Sequence, residues 1–113
     1  MVCGGRRFAD VTFVWNWLDG FHAETPISAL ITGGSTGVDN IASQWAATKL
    51  PPIERYVSKP KWAELGRAAG PVRNKRMLEW KPDVVIAFPG SAGTADMVMR
   101  AKVAKIRVIE VCR

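Results

Sequence analysis

The chain has 113 residues, a net charge of +6 and an apolar content of 48%, so residues 1–113 are expected to form a single domain with one core rather than a disordered chain. No apolar run reaches membrane-spanning length and strand residues begin at Val2, which leaves no room for a signal peptide and points to a cytoplasmic protein with no membrane attachment. Cys3 and Cys112 lie at opposite ends in no metal or CxxC spacing, and the lone His22 rules out a histidine-based metal cluster, so free thiols, no metal and no cofactor are expected.

In chain order, short apolar segments alternate with amphipathic ones. Strands are expected at Met1–Gly4, Ser28–Thr32, Ile53–Val57, Pro82–Phe88 and Arg107–Val111. Asp10 caps a first helix carrying Val11, Val14, Trp15, Leu18 and Phe21 on one face. Val38, Ile41, Ala42, Trp45 and Ala46 form the stripe of a second, which Pro51-Pro52 ends. Pro71 suits the first position of a third helix running to about Trp80, and a fourth covers about Thr94 to Lys105. Trp15 and Trp45 belong to the core. Phe13 and Trp17 lie off the main stripe and suggest a face for a homodimer or higher homo-oligomer.

This alternation predicts a Rossmann-like α/β fold: three α/β/α layers around a five-stranded, mostly parallel sheet of order 3-2-1-4-5. Ligands of such sheets bind beyond the carboxyl ends of the strands, where the chain reverses direction between strands 1 and 4. The glycine-rich segments fall there.

The first is Gly4-Gly5-Arg6-Arg7-Phe8, a tight turn in which Arg6 or Arg7 is placed to meet a phosphate. The second is Thr32-Gly33-Gly34-Ser35-Thr36-Gly37-Val38-Asp39, which lacks both the dinucleotide glycine spacing and the G-K-[ST] of a P-loop. Asp39 falls in a first helical turn, suited to the helix dipole or to ribose hydroxyls. The third segment runs from Trp62 to Met77. Arg73, Lys75 and Arg76 crowd the start of its expected helix, where cations are disfavoured by up to roughly 1 kcal/mol each unless an anion binds. Arg73 shares a face with Met77 and is expected to point inward. Trp62 either stacks on a base or covers the core. The fourth, Phe88-Pro89-Gly90-Ser91-Ala92-Gly93-Thr94-Ala95-Asp96, joins a buried strand to a helix N-terminus, a natural seat for an anion.

Taken in order, these motifs resemble the SLOG superfamily, which includes the DprA (Smf) and LOG proteins, and within it the small stand-alone YspA/YpsA-like branch. The residues that carry it are Val2 to Phe8, Gly33 to Asp39, Trp62 with Gly66, Ala69 to Met77 and Phe88 to Met97. The resemblance implies a nucleotide or nucleotide-derived ligand. LOG enzymes are phosphoribohydrolases with a P-G-G-x-G-T-x-x-E signature preceded by a helix-start arginine. Arg73 matches that arginine, and Pro89, Gly90, Gly93 and Thr94 match the phosphate loop, with Ser91 in place of one glycine. Met97 stands where the glutamate would be, with Asp96 one position before it. DprA, by contrast, binds single-stranded DNA.

Three functions follow. The first is a binding module whose phosphate and sugar contacts come from Gly4, Gly5, Arg6, Gly33, Gly34, Ser35, Gly37, Asp39, Arg73, Asn74, Pro89, Gly90, Ser91, Gly93 and Thr94. Trp62 or Arg6 would meet the base. The second is an N-glycosidic phosphoribohydrolase using Asp96, Arg73 and Asp39, with either acid activating water. The third, favoured less, is a single-stranded nucleic-acid binder.

Overall fold

The computed structural model describes residues 1–113. Strands and helices alternate along the chain: β1 (Val2–Cys3), α1 (Val11–Glu24), β2 (Ala29–Thr32), α2 (Val38–Ala47), β3 (Glu54–Val57), α3 (Trp62–Leu65), α4 (Ala69–Leu78), β4 (Val84–Ala87), α5 (Ala92–Val103) and β5 (Arg107–Glu110). All strand pairings are parallel.

Alternation along the strands sorts the core onto two faces. Leu30 and Ile86 point to one side, where they meet Val14 and Leu18 of α1 and Val38, Ile41 and Trp45 of α2. Ile31 and Val85 point to the other, against Met77 of α4 and Met97 and Ala101 of α5. The strands are covered on both faces, as parallel strands require. The Asp10 carboxylate accepts the Phe13 N–H at 3.1 Å, the N-cap expected of it. Trp45 is fully buried, and its indole N–H donates to Asp19 at 2.8 Å.

The single five-stranded sheet is not what forms. β1-β4-β5 make one three-stranded sheet and β2-β3 a separate two-stranded one. β1 and β2 are neighbours without a hydrogen-bonded ladder. The cause is the brevity of β1. The carbonyls of Met1 and Cys3 accept from Ile86 of β4 and from Phe88 just beyond it, at 2.8 and 2.9 Å. Alternation then turns only the backbone of Val2 toward β2, too little for a ladder. At the end of β2 the Thr32 hydroxyl is buried with no hydrogen-bond partner.

The Trp62–Met77 region also differs from expectation. The short α3 and a turn of 3₁₀ helix at Gly66–Ala68 precede α4, which starts at Ala69 instead of Pro71. Lys75 and Arg76 consequently fall in the last turn of α4, where the dipole favours cations. Their charge needs no bound anion to explain it. Phe13 and Trp17 also have partners within the chain. Trp17 stacks on Phe21 with ring centroids 5.6 Å apart, and both Phe13 and Trp17 meet the edge of Phe88. Cys3 and Cys112 are free thiols.

Candidate functional site

The carboxyl ends of β1, β2 and β4 open into a cleft of about 430 Å³. Its wall brings together Gly4 and Arg6 from the first loop, Gly33, Ser35 and Asp39 from the second, Trp62, Arg73 and Asn74 from the third segment, and Ser91, Gly93, Thr94 and Asp96 from the fourth. Four segments far apart in sequence thus share one cavity.

Gly5, Gly34, Gly37, Pro89 and Gly90 are not on that wall. Of these, Gly5, Gly37, Pro89 and Gly90 bring the loops into contact with one another. The Gly5 N–H donates to the Pro89 carbonyl at 2.9 Å, and the Gly5 carbonyl accepts from Val38 N–H at 3.2 Å. The Thr36 hydroxyl adds a bond to the Arg6 carbonyl at 3.1 Å. Gly37 has φ of 75°, and a side chain there would run into the Gly5 carbonyl, so only glycine lets the first two loops touch.

Arg73 sits across the cleft from the second loop. Its Nη1 donates to the Gly33 carbonyl at 2.8 Å and reaches the Ser58 carbonyl at 3.5 Å, while Nε donates to Asn74 Oδ1 at 3.0 Å. Nη2 makes no bond within the chain. Burial pulls the guanidinium below its ordinary pKa, and nearby Asp39 opposes that shift. Gly33 is needed for this approach, because any side chain there would occupy the space of the guanidinium.

Asp39 is 6% exposed, and its carboxylate accepts the Ser35 N–H at 3.2 Å. Burial raises its pKa; the Ser35 and Gly33 amides and the Arg73 charge work in the other direction. Asp96 is differently placed. Its Oδ2 accepts from Asn74 Nδ2 at 2.9 Å and from Arg100 Nε at 2.9 Å. Asn74 is 3% exposed and spends its whole amide inside the chain, with a further bond to the Gly93 carbonyl at 3.1 Å. It is a buried tie between α4 and α5.

At the start of α5, Ser91 makes no side-chain cap, and Ser91, Ala92, Gly93 and Thr94 line the cleft, so the helix end beside it has no side-chain acceptor for its first amides. Trp62 is 46% exposed at the mouth, with the Arg6 guanidinium 5.0 Å above its ring. Cys3 and Arg67 also line the cleft, though sequence reasoning had not counted them among the binding residues. Cys3 precedes Gly4 at the end of β1, and that position was the available signal. Burial pushes its thiol up to about 12, with the Asp39 charge adding to the shift.

Residues 1–64 match the family model described as YspA, cpYpsA-related SLOG. The Gene 61 protein of Mycobacterium phage D29 is 32% identical over 115 residues, an alignment covering 96% of this chain and 92% of that protein. No solved structure matches the chain.

Proposed function

The chain belongs to the YspA, cpYpsA-related SLOG family, and from that premise we propose that residues 1–113 act as one domain that binds a nucleotide or nucleotide-derived ligand in the cleft. The observation that carries this reading is the convergence of three complementary groups on one cavity: the uncapped amides of α5, the free Nη2 of Arg73 and the carboxylate of Asp39. An anion is attracted to the first two. The third accepts hydrogen bonds from hydroxyls, as a ribose would offer. Trp62 supplies an aromatic face at the mouth for the base.

Calorimetric titration with nucleoside 5′-monophosphates tests it, together with mass spectrometry of any small molecule that co-purifies. Saturable binding that inorganic phosphate weakens is expected. Failure of every nucleotide and nucleoside phosphate to bind overturns the proposal.

A second reading, N-glycosidic hydrolysis, is favoured by the difference between the two acids. Asp39 is buried with only backbone N–H donors on it, whereas Asp96 Oδ2 is held by Asn74 and Arg100. In this reading water adds to the anomeric carbon and gives its proton to Asp39. The carbon–nitrogen bond breaks with its electron pair on the base, which takes a proton from solvent. Release of free base that Asp39→Asn abolishes is the expected result. Equal release from that variant removes Asp39 from the mechanism.

A further inference from the structure

The aromatic face of Trp62 carries one further side chain. The Arg6 guanidinium lies 5.0 Å from the centroid of that ring, and both residues line the cleft. Cations also sit over Trp45, Phe8 and Phe13, but those rings are outside the cleft wall, as is Arg7, the next cation in the chain. The main chain around Arg6 is fastened. Its carbonyl accepts the Thr36 hydroxyl at 3.1 Å, and the preceding Gly5 is bonded to Pro89 and to Val38. The guanidinium itself has no carboxylate partner, because the ion pairs of the chain employ Lys49, Arg100, Lys102 and Arg113. A fixed backbone thus holds a planar set of N–H donors over the ring available to a base.

Arginine presents its donors in a rigid fork and has no acceptor. Stacking on an indole favours the larger, fused-ring bases. Of the purines, guanine turns two adjacent acceptors, O6 and N7, toward such a fork, whereas adenine sets an amine donor beside N7. We propose that Arg6 reads the edge of the base, and that the ligand is a 6-oxopurine nucleotide whose O6 and N7 accept from the guanidinium while its rings lie on Trp62. This rests on the nucleotide-binding reading above and names the base. On ligand entry the guanidinium moves from the ring face to the base edge, giving up a weak exposed cation–π contact for two hydrogen bonds.

The test is calorimetry with the 5′-monophosphates of guanosine, inosine, adenosine and 7-deazaguanosine, on the wild type and on Arg6→Lys, Arg6→Gln and Arg7→Gln. Guanosine and inosine monophosphates, which share O6 and N7, are expected to bind alike and about tenfold tighter than the adenosine compound. The 7-deaza compound lacks the N7 acceptor and should lose most of that gain. Arg6→Lys keeps the charge but not the fork, so both Arg6 variants should bring guanosine monophosphate down to the level of adenosine monophosphate. Arg7→Gln should keep the wild-type preference. Equal affinity across the series, or a preference for adenosine, overturns the inference and leaves the nucleotide reading intact. So does a preference that survives Arg6→Gln. An equal loss for every nucleotide and for inorganic phosphate in the Arg6 variants also overturns it, and makes Arg6 a phosphate ligand. Absence of binding by all of them overturns both readings.

Discussion

The guanidinium of Arg73 and the carbonyl of Gly33 meet at 2.8 Å across a sequence separation of 40 residues. This bond fixes α4 against the loop that follows β2, and so sets the width of the cleft. It leaves Nη2 without a hydrogen-bond partner inside the chain.

Arg73→Gln is expected to weaken nucleotide binding by roughly tenfold to a hundredfold, the worth of a charge-assisted hydrogen bond. Arg73→Lys keeps the charge but cannot hold Gly33 and a phosphate together, so it should recover only part of the affinity. Titration calorimetry measures both. Wild-type affinity in Arg73→Gln would remove this residue from the site.

Asn74 invites a stability test. Asn74→Ala leaves the Gly93 carbonyl and Arg73 Nε without their partner and opens the tie to Asp96. A loss of about 2–3 kcal/mol in denaturant unfolding is expected. Asp96→Asn should cost less, since Asp96 is only half-buried and its pair with Arg100 lies on the helix surface. The reverse order would mean that the network is anchored on Asp96.

Much of this site was legible in the sequence, because glycine turns after apolar strands mark carboxyl ends and parallel topology gathers those ends. Arg73 was legible too, through its spacing from Met77. What local patterns could not reveal was the division of labour among the glycines. Gly4 and Gly33 line the cleft while Gly5 and Gly37 fasten loops to each other, and that depends on contacts between segments far apart in sequence. The added α3 was hidden for another reason. Four residues, Trp62–Leu65, are too few to show a helical period. With α3 in place, α4 begins at Ala69 and Lys75 and Arg76 lie at its C-terminal end. The divided sheet follows from the short β1, whose true length no hydrophobic pattern defines.

Asp39 makes stability depend on pH. Its folded-state pKa is raised, so the folded chain tolerates the protonated form and resists the carboxylate. The associated stability is complete below the unfolded-state pKa of about 3.9 and is lost as pH rises through the folded-state value. Asp39→Asn carries no such charge and retains an acceptor for the Ser35 N–H. Its stability relative to wild type should therefore climb between acid and neutral pH, as read by thermal unfolding in a buffer series. A constant difference across that range would show that Asp39 titrates normally.

The two thiols should behave differently. With its pKa pushed up to about 12 by burial, Cys3 has almost no thiolate at neutral pH, whereas Cys112 is exposed. Native protein should react with one equivalent of an alkylating reagent, and peptide mapping should place it on Cys112. Both thiols should react in denaturant. Rapid native labelling of Cys3 would mean that the cleft floor opens readily.

Thr32 offers a gain instead of a loss. Its hydroxyl is buried at the end of β2 with no partner, and that desolvation is not compensated. Valine has nearly the same shape, prefers strands and carries no polar group. Thr32→Val is expected to stabilise the chain by about 1 kcal/mol in denaturant unfolding. Because Thr32 leads directly into Gly33, the same variant reports on the site. If it is more stable and binds nucleotide normally, the hydroxyl serves neither the fold nor the ligand. Lower stability would instead show that water or a neighbour bonds the hydroxyl in solution, and that the end of β2 is wetter than its burial suggests.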